Sequence, residues 1–140
     1  MSRIIYQQTD GTIAIIVPSG NVNDAIKDVP AATSYEIVED SDIPTDRTFR
    51  NAWEHDVSLA PEKVKTDMPK AKVLGHDIRR NARNELFKPL DIEATIPAVS
   101  AAAEVSRQAI RDSDAIVQTD IDAAADEAAL KLVLTNASYL

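Results

Sequence analysis

Apolar residues crowd into two short runs near the start of the chain, Arg3-Ile4-Ile5-Tyr6-Gln7-Gln8-Thr9 and Thr12-Ile13-Ala14-Ile15-Ile16-Val17, separated by Asp10-Gly11. β-Branched residues suit extended backbone, and an Asp-Gly pair supplies the positive φ angles of a tight turn, so the pattern predicts a β-hairpin. A two-residue turn would place Gln8 opposite Ile13, Tyr6 opposite Ile15 and Ile4 opposite Val17, with Ile5 and Ile16 on the other face. Both faces then carry apolar side chains, so the hairpin should be covered on each side. Pro18 stops the second strand. Asn23 is placed to cap a short helix over Asp24–Asp28 that ends before Pro30, and Ser34-Tyr35-Glu36-Ile37-Val38-Glu39 predicts a third strand.

Thr45 or Asp46 caps a predicted helix through about Glu54, with Phe49, Ala52 and Trp53 at helical spacing. Tyr6, Ile15, Tyr35, Ile37, Phe49 and Trp53 make up the expected core, and the single tryptophan is its anchor. His55–Lys65 has no clear period. From Asp67 the longest helical pattern runs to about Lys88, with Ala71, Leu74, Ile78, Ala82 and Leu86 as its apolar stripe. Pro89 and Pro97 bracket Leu90–Ile96 and predict a kink or break. Ala98–Arg111 resumes helical spacing, with Val99, Ala102, Ala103, Ser106 and Ile110 on one face. Asp112–Asp120 is polar and reads as a loop, and a last helix covers Asp122–Leu134, ending at Asn136. The expected architecture is α+β. Residues 1–56 form a small antiparallel sheet (the hairpin plus one strand) with a packed helix, 57–66 a linker, and 67–140 an extended helical arm. No internal repeat appears, and no heptad run is long enough for a coiled coil.

Composition sharpens this picture. The chain has 140 residues, 44% of them apolar but only 4% aromatic, and alanine is concentrated after Pro97. Alanine buries little area, so the C-terminal third is expected to lean on the rest of the chain, on another copy or on a partner. The net charge of -8, from 23 acidic and 15 basic residues, argues against nucleic-acid binding, which demands clustered lysine and arginine. Basic residues gather over Lys63–Lys88 and acidic ones over 36–46 and 112–127. Patches of opposite sign on neighbouring copies could meet, although a solvated surface accounts for the same distribution. With no cysteine there is no disulfide or thiol chemistry. Gln7, Gln8 and Asp10 interrupt any signal-peptide core, and Ile13–Pro18 is far too short to span a bilayer. A soluble protein not exported by the usual route is expected.

Candidate chemistry is sparse. Glu54-His55-Asp56 contains the elements of a metal site or a base with its orienting acid, but neither His55 nor His76 belongs to a spaced metal motif. Asp40-x-Asp42-x-x-x-Asp46 resembles half of a calcium loop without its glycine or terminal glutamate, and capping and turn formation explain these acids more simply. Asp112-x-Asp114 and Asp120-x-Asp122 raise the same thought. There is no Gly-x-Ser-x-Gly, and three glycines cannot build a phosphate-cradling loop. No catalytic residue, cofactor, metal or small-molecule substrate is expected. Arg79, Arg80 and Arg83 either face an anionic partner or pair with Asp77 and Glu85 on their own helix. With Val99, Ala102, Ala103 and Ile110 they make up the candidate interface.

One block carries a resemblance. Lys27-Asp28-Val29-Pro30, Tyr35-Glu36-Ile37-Val38 and above all Asp42-Ile43-Pro44-Thr45-Asp46-Arg47-Thr48-Phe49-Arg50-Asn51-Ala52-Trp53-Glu54 resemble a signature of small tailed-bacteriophage proteins. Asp67-Met68-Pro69-Lys70-Ala71-Lys72 and the Arg79–Arg83 helix are similar to its continuation. Arg107-Gln108-Ala109-Ile110-Arg111-Asp112 looks like a helix end in the same proteins and in tail-fibre assembly proteins. After residue 90 the prolines and the alanine run depart from the pattern. The resemblance implies a chain encoded among virion-structure genes, made in the host cytoplasm and carried in the virion as a minor capsid or tail component. Its partners would be other phage structural proteins and copies of itself, with no nucleic acid or membrane. A tail-fibre assembly chaperone is the alternative it implies. It transfers no catalytic residue.

Overall fold

The computed structural model describes residues 1–55 and 63–137. The fold is α+β, a small three-stranded antiparallel sheet plus helices, as the sequence predicts. The chain divides into two compact units, Met1–Ala71 and Lys72–Leu140.

In the first unit β1 (Ser2–Gln7) is the central strand, flanked by β2 (Ile13–Ile16) and β3 (Tyr35–Glu39) in the order β2-β1-β3. The hairpin forms at Asp10-Gly11, but its register is one residue away from expectation: Ile4 pairs Ile16, Ile5 pairs Ile15, Tyr6 pairs Ala14 and Gln7 pairs Ile13. The cause is loop length. Gly11 N–H donates to the Gln8 carbonyl at 3.0 Å and Gln8 N–H to Thr12 at 2.8 Å, with Gly11 at φ +81°. This is a three-residue loop closed by a left-handed glycine, and one extra residue exchanges the faces of every β2 side chain. Ile5, Ile13 and Val38 now share a face and pack with Ile43, Trp53 and Val64, with Ile15 against them. Ile4 is fully buried on the opposite face, beside a 3-10 helix over Val22–Asp28. Asn21, not Asn23, caps that helix, taking the Asn23 N–H at 2.9 Å.

Of the six expected core residues, Phe49 and Trp53 are fully buried and Tyr6 and Ile15 half-buried. Tyr35 and Ile37 are corrections: each is 41% exposed, because β3 is an edge strand and both lie on the face away from the Trp53 cluster. The predicted helix from Thr45 to Glu54 is also absent. The Asp46 carboxylate takes the Thr48 N–H at 2.9 Å and its hydroxyl at 2.7 Å, a local turn that competes with helical bonding. Only a 3-10 turn at Arg50–Ala52 follows, and Trp53 reaches the core from β4 (Trp53–His55), paired antiparallel with β5 (Val64–Thr66). The expected linker therefore gives up residues 64–66 to a strand, and its residues 57–62 lie outside the described ones.

The helical region is α1 (Met68–Glu93), α2 (Ser100–Ala123) and α3 (Glu127–Asn136). Two expected breaks do not occur. Helix α1 passes through Pro89; the carbonyl left without its N–H belongs to exposed Glu85, where water can satisfy it. Helix α2 runs through the polar stretch Asp112–Asp120, since Asp114 is buried against arginines of α1. Nor is the arm one extended run. The turn at Thr95–Val99 reverses the chain, and α2 returns antiparallel to α1: Arg107 reaches Asp91 near the turn, Arg79 and Arg83 reach Asp114, and His76 reaches Asp122 at the far end.

Candidate functional site

Two features of α1 set the geometry of the second unit. Arg79 and Arg83 stand one turn apart, so both guanidinium groups reach one carboxylate, at 2.5 and 2.9 Å from Asp114 Oδ2. Arg79 and Asp114 are each only 5% exposed. A buried carboxylate held by two guanidinium groups fixes the register of the two helices, because sliding α2 by one turn would strand charge in a dry interface. Farther along, Arg107 lies 5.9 Å from the centre of the Phe87 ring and 3.1 Å from Asp91. The second feature is Gly75. A Cβ built there would stand 3.3 Å from Leu130 of α3 and 3.6 Å from Ile121 of α2, so the three helices meet over a position with no side chain. Leu130 and Ile121 are fully buried.

Helix α3 covers only one end of this hairpin. Its 10 residues span about 15 Å, against about 36 Å for the 24 residues of α2. At 100° per residue, Ile78, Ala82 and Leu86 continue the line of Gly75 along α1, while Val99, Ala103, Ser106 and Ile110 continue the line of Val117 along α2. These lines border a groove that α3 covers only in part: Ile78, level with α3, is 40% exposed, while Leu86 and Val99, past its end, are 37% and 39% exposed.

The expected interface residues divide accordingly. Val99, Ala102 and Ile110 stay exposed or half-buried along the groove, while Ala103 is buried at its floor. Arg79 leaves the interface because Asp114 buries it, and Arg83 is half-buried on the same carboxylate in place of Glu85. Arg80 pairs with Asp77 at 2.5 Å on the solvent side, as one sequence reading allowed. Ile78 and Leu86, part of the expected apolar stripe of α1, supply much of the groove's exposed apolar surface. What the sequence missed was Asp114, although a signal was present: it interrupts the α2 stripe Ala103, Ile110, Val117, Ile121 at the same 3–4 spacing.

The acids and imidazoles considered for chemistry have other work. Asp42 takes the Glu39 N–H at 2.9 Å, Asp40 pairs with Arg3, His55 bonds Glu36 at 2.7 Å and His76 bonds Asp122 at 2.9 Å. Asp56 lies outside the described residues. Among the described residues no three histidine, aspartate or glutamate side chains gather as a metal site, and no helix is long and apolar enough to cross a membrane. No family model, curated protein or solved structure matches the chain.

Proposed function

We propose that the chain is a non-enzymatic structural component of a tailed-phage particle, a minor capsid or tail protein such as a decoration, connector or fibre-associated subunit, acting by protein–protein packing. The observation that carries packing is the groove of Ile78, Leu86 and Val99, which α3 leaves partly open. Small side chains at Ala82, Ala102 and Ala103 let another helix approach closely, and the Arg79–Asp114–Arg83 cluster holds the two walls in register. The phage setting is supported by the resemblance of residues 42–54 and their Asp67–Lys72 continuation. Other virion proteins and further copies of this chain are the partners that fit, and the virion is its place.

Mass spectrometry of purified particles tests the reading. The chain is expected at a fixed copy number, and its absence from mature particles would sink the proposal. The Arg107–Asp112 helix segment supports a second reading, a tail-fibre assembly chaperone. Fibre that becomes trimeric and soluble without co-expression of this chain would argue against that one.

A further inference from the structure

The first unit carries a cleft that the packing groove does not involve. Among the described residues strand β2 pairs on one side only, leaving an edge of its sheet, and beside it lies a cleft of about 410 Å³ walled by Ile15, Val17, Ile43 and Pro44 and rimmed by Arg47 and Arg50. Arg50 also borders a second cleft, of about 350 Å³, along Thr12–Ile15 of the same strand. Both arginines are exposed. Every other arginine has a carboxylate partner: Arg3 with Asp40, Arg79 and Arg83 with Asp114, Arg80 with Asp77, Arg107 with Asp91, and Arg111 with Glu104. Among the described residues Arg47 and Arg50 have none, although the chain holds 23 acidic residues against 15 basic ones. Two unpaired guanidinium groups beside an apolar wall and a strand edge are complementary to a particular kind of ligand.

We propose that this cleft binds an extended acidic segment of another protein, which adds along this edge of β2, places its carboxylates on Arg47 and Arg50 and seats apolar side chains against Ile15, Val17 and Ile43. Side chains of an extended segment alternate in direction, so acid and apolar residues at alternate positions reach the rim and the wall together. Guanidinium groups bind carboxylates through paired donors. A free phosphate would gain nothing from the wall, and none of the chain's three glycines lies in the cleft to form a backbone nest. The cleft's own carboxylate, Asp40, is occupied by the Arg3 guanidinium at 2.5 Å, whose hydrogen bond holds it below the usual aspartate range. Asp40 and Arg3 thus neutralise each other at their end of the cleft, leaving Arg47 and Arg50 as its unpaired positive charges.

Fluorescence anisotropy on the full chain tests this, with a fluorescein-labelled octapeptide of alternating aspartate and valine at low ionic strength. The expected result is saturable binding that added salt weakens, reduced about tenfold or more by Arg47→Glu/Arg50→Glu, with circular dichroism and melting unchanged. Arg47→Gln/Arg50→Gln should give a smaller loss in the same direction. An octapeptide with serine in place of valine should bind several-fold more weakly, and one of alternating lysine and valine should not bind. Absence of binding to the natural chain overturns the proposal. So does equal affinity for the charge-reversed variant or for the serine peptide. Full displacement of the peptide by millimolar inorganic phosphate would likewise overturn it, by reducing the cleft to a simple anion site.

Discussion

Asp114 lies in an apolar interface with two guanidinium groups on one of its oxygens, and the worth of that arrangement follows from what its loss would leave behind. Removing one member of a buried pair costs about 3–5 kcal/mol, because the remaining charge has no water to return to. Asp114→Ala should therefore destabilise the second unit by about that amount in urea unfolding, while Asp114→Leu combined with Arg79→Met should recover most of the loss. A cost below about 1 kcal/mol for the single change would mean that the cluster does not hold the helices. Glu36 makes a prediction of a different kind. Its carboxylate accepts from His55 at 2.7 Å and pairs with Lys63 at 3.0 Å, and these bonds, that from His55 foremost, hold it below the ordinary glutamate value of 4.5. A depressed folded value means that stability is present in full above 4.5 and lost as pH falls through the folded value. Thermal melts of Glu36→Gln should thus lie below those of the natural chain at neutral pH, with the gap closing on acidification; a gap independent of pH would contradict the assignment.

Among the elements, α3 depends on a residue with no side chain. Gly75→Val would push a branched side chain into Leu130 and Ile121, where even a Cβ stands at 3.3 Å from Leu130. Overpacking of this sort costs about 1–3 kcal/mol, and α3 should become the first segment released in limited proteolysis. Unchanged protection of Glu127–Asn136 would show that α3 docks elsewhere. The same elements show what sequence alone can carry. Asp10-Gly11 announces a hairpin, but whether the loop holds two residues or three rests on bonds among Gln8, Gly11 and Thr12, and that choice sets which face every side chain of β2 takes. Phe49 and Trp53 are legible as core because so few aromatic residues are available, yet their element is not, since Asp46 closes a local turn that helical spacing cannot reveal. The helix through Asp112–Asp120 is illegible for another reason: its polar residues have weak helix propensity, and what overrides it is an arginine 35 residues away in the chain.

For the whole molecule, the alanine-rich C-terminal third was expected to need something to pack on, and it finds part of that in α1 and α3. The candidate site was legible in outline, as Val99, Ala102 and Ile110 show. Its other wall was not, because the stripe of Ile78 and Leu86 looks the same in sequence whether it faces a core or an open groove. Only their exposure in the folded chain decides between them. Because Ile78 and Leu86 are already partly exposed, Ile78→Asp/Leu86→Asp should leave the helical circular dichroism signal intact and shift urea unfolding by no more than about 1 kcal/mol. The most direct test of packing through the groove is incorporation of that variant into particles. In a phage lacking its own copy of the gene, complemented in trans and quantified by mass spectrometry, the natural chain should enter purified particles at a fixed copy number and the folded variant should be excluded. Incorporation of the variant at the natural copy number, or absence of the natural chain from the particles, would contradict the account.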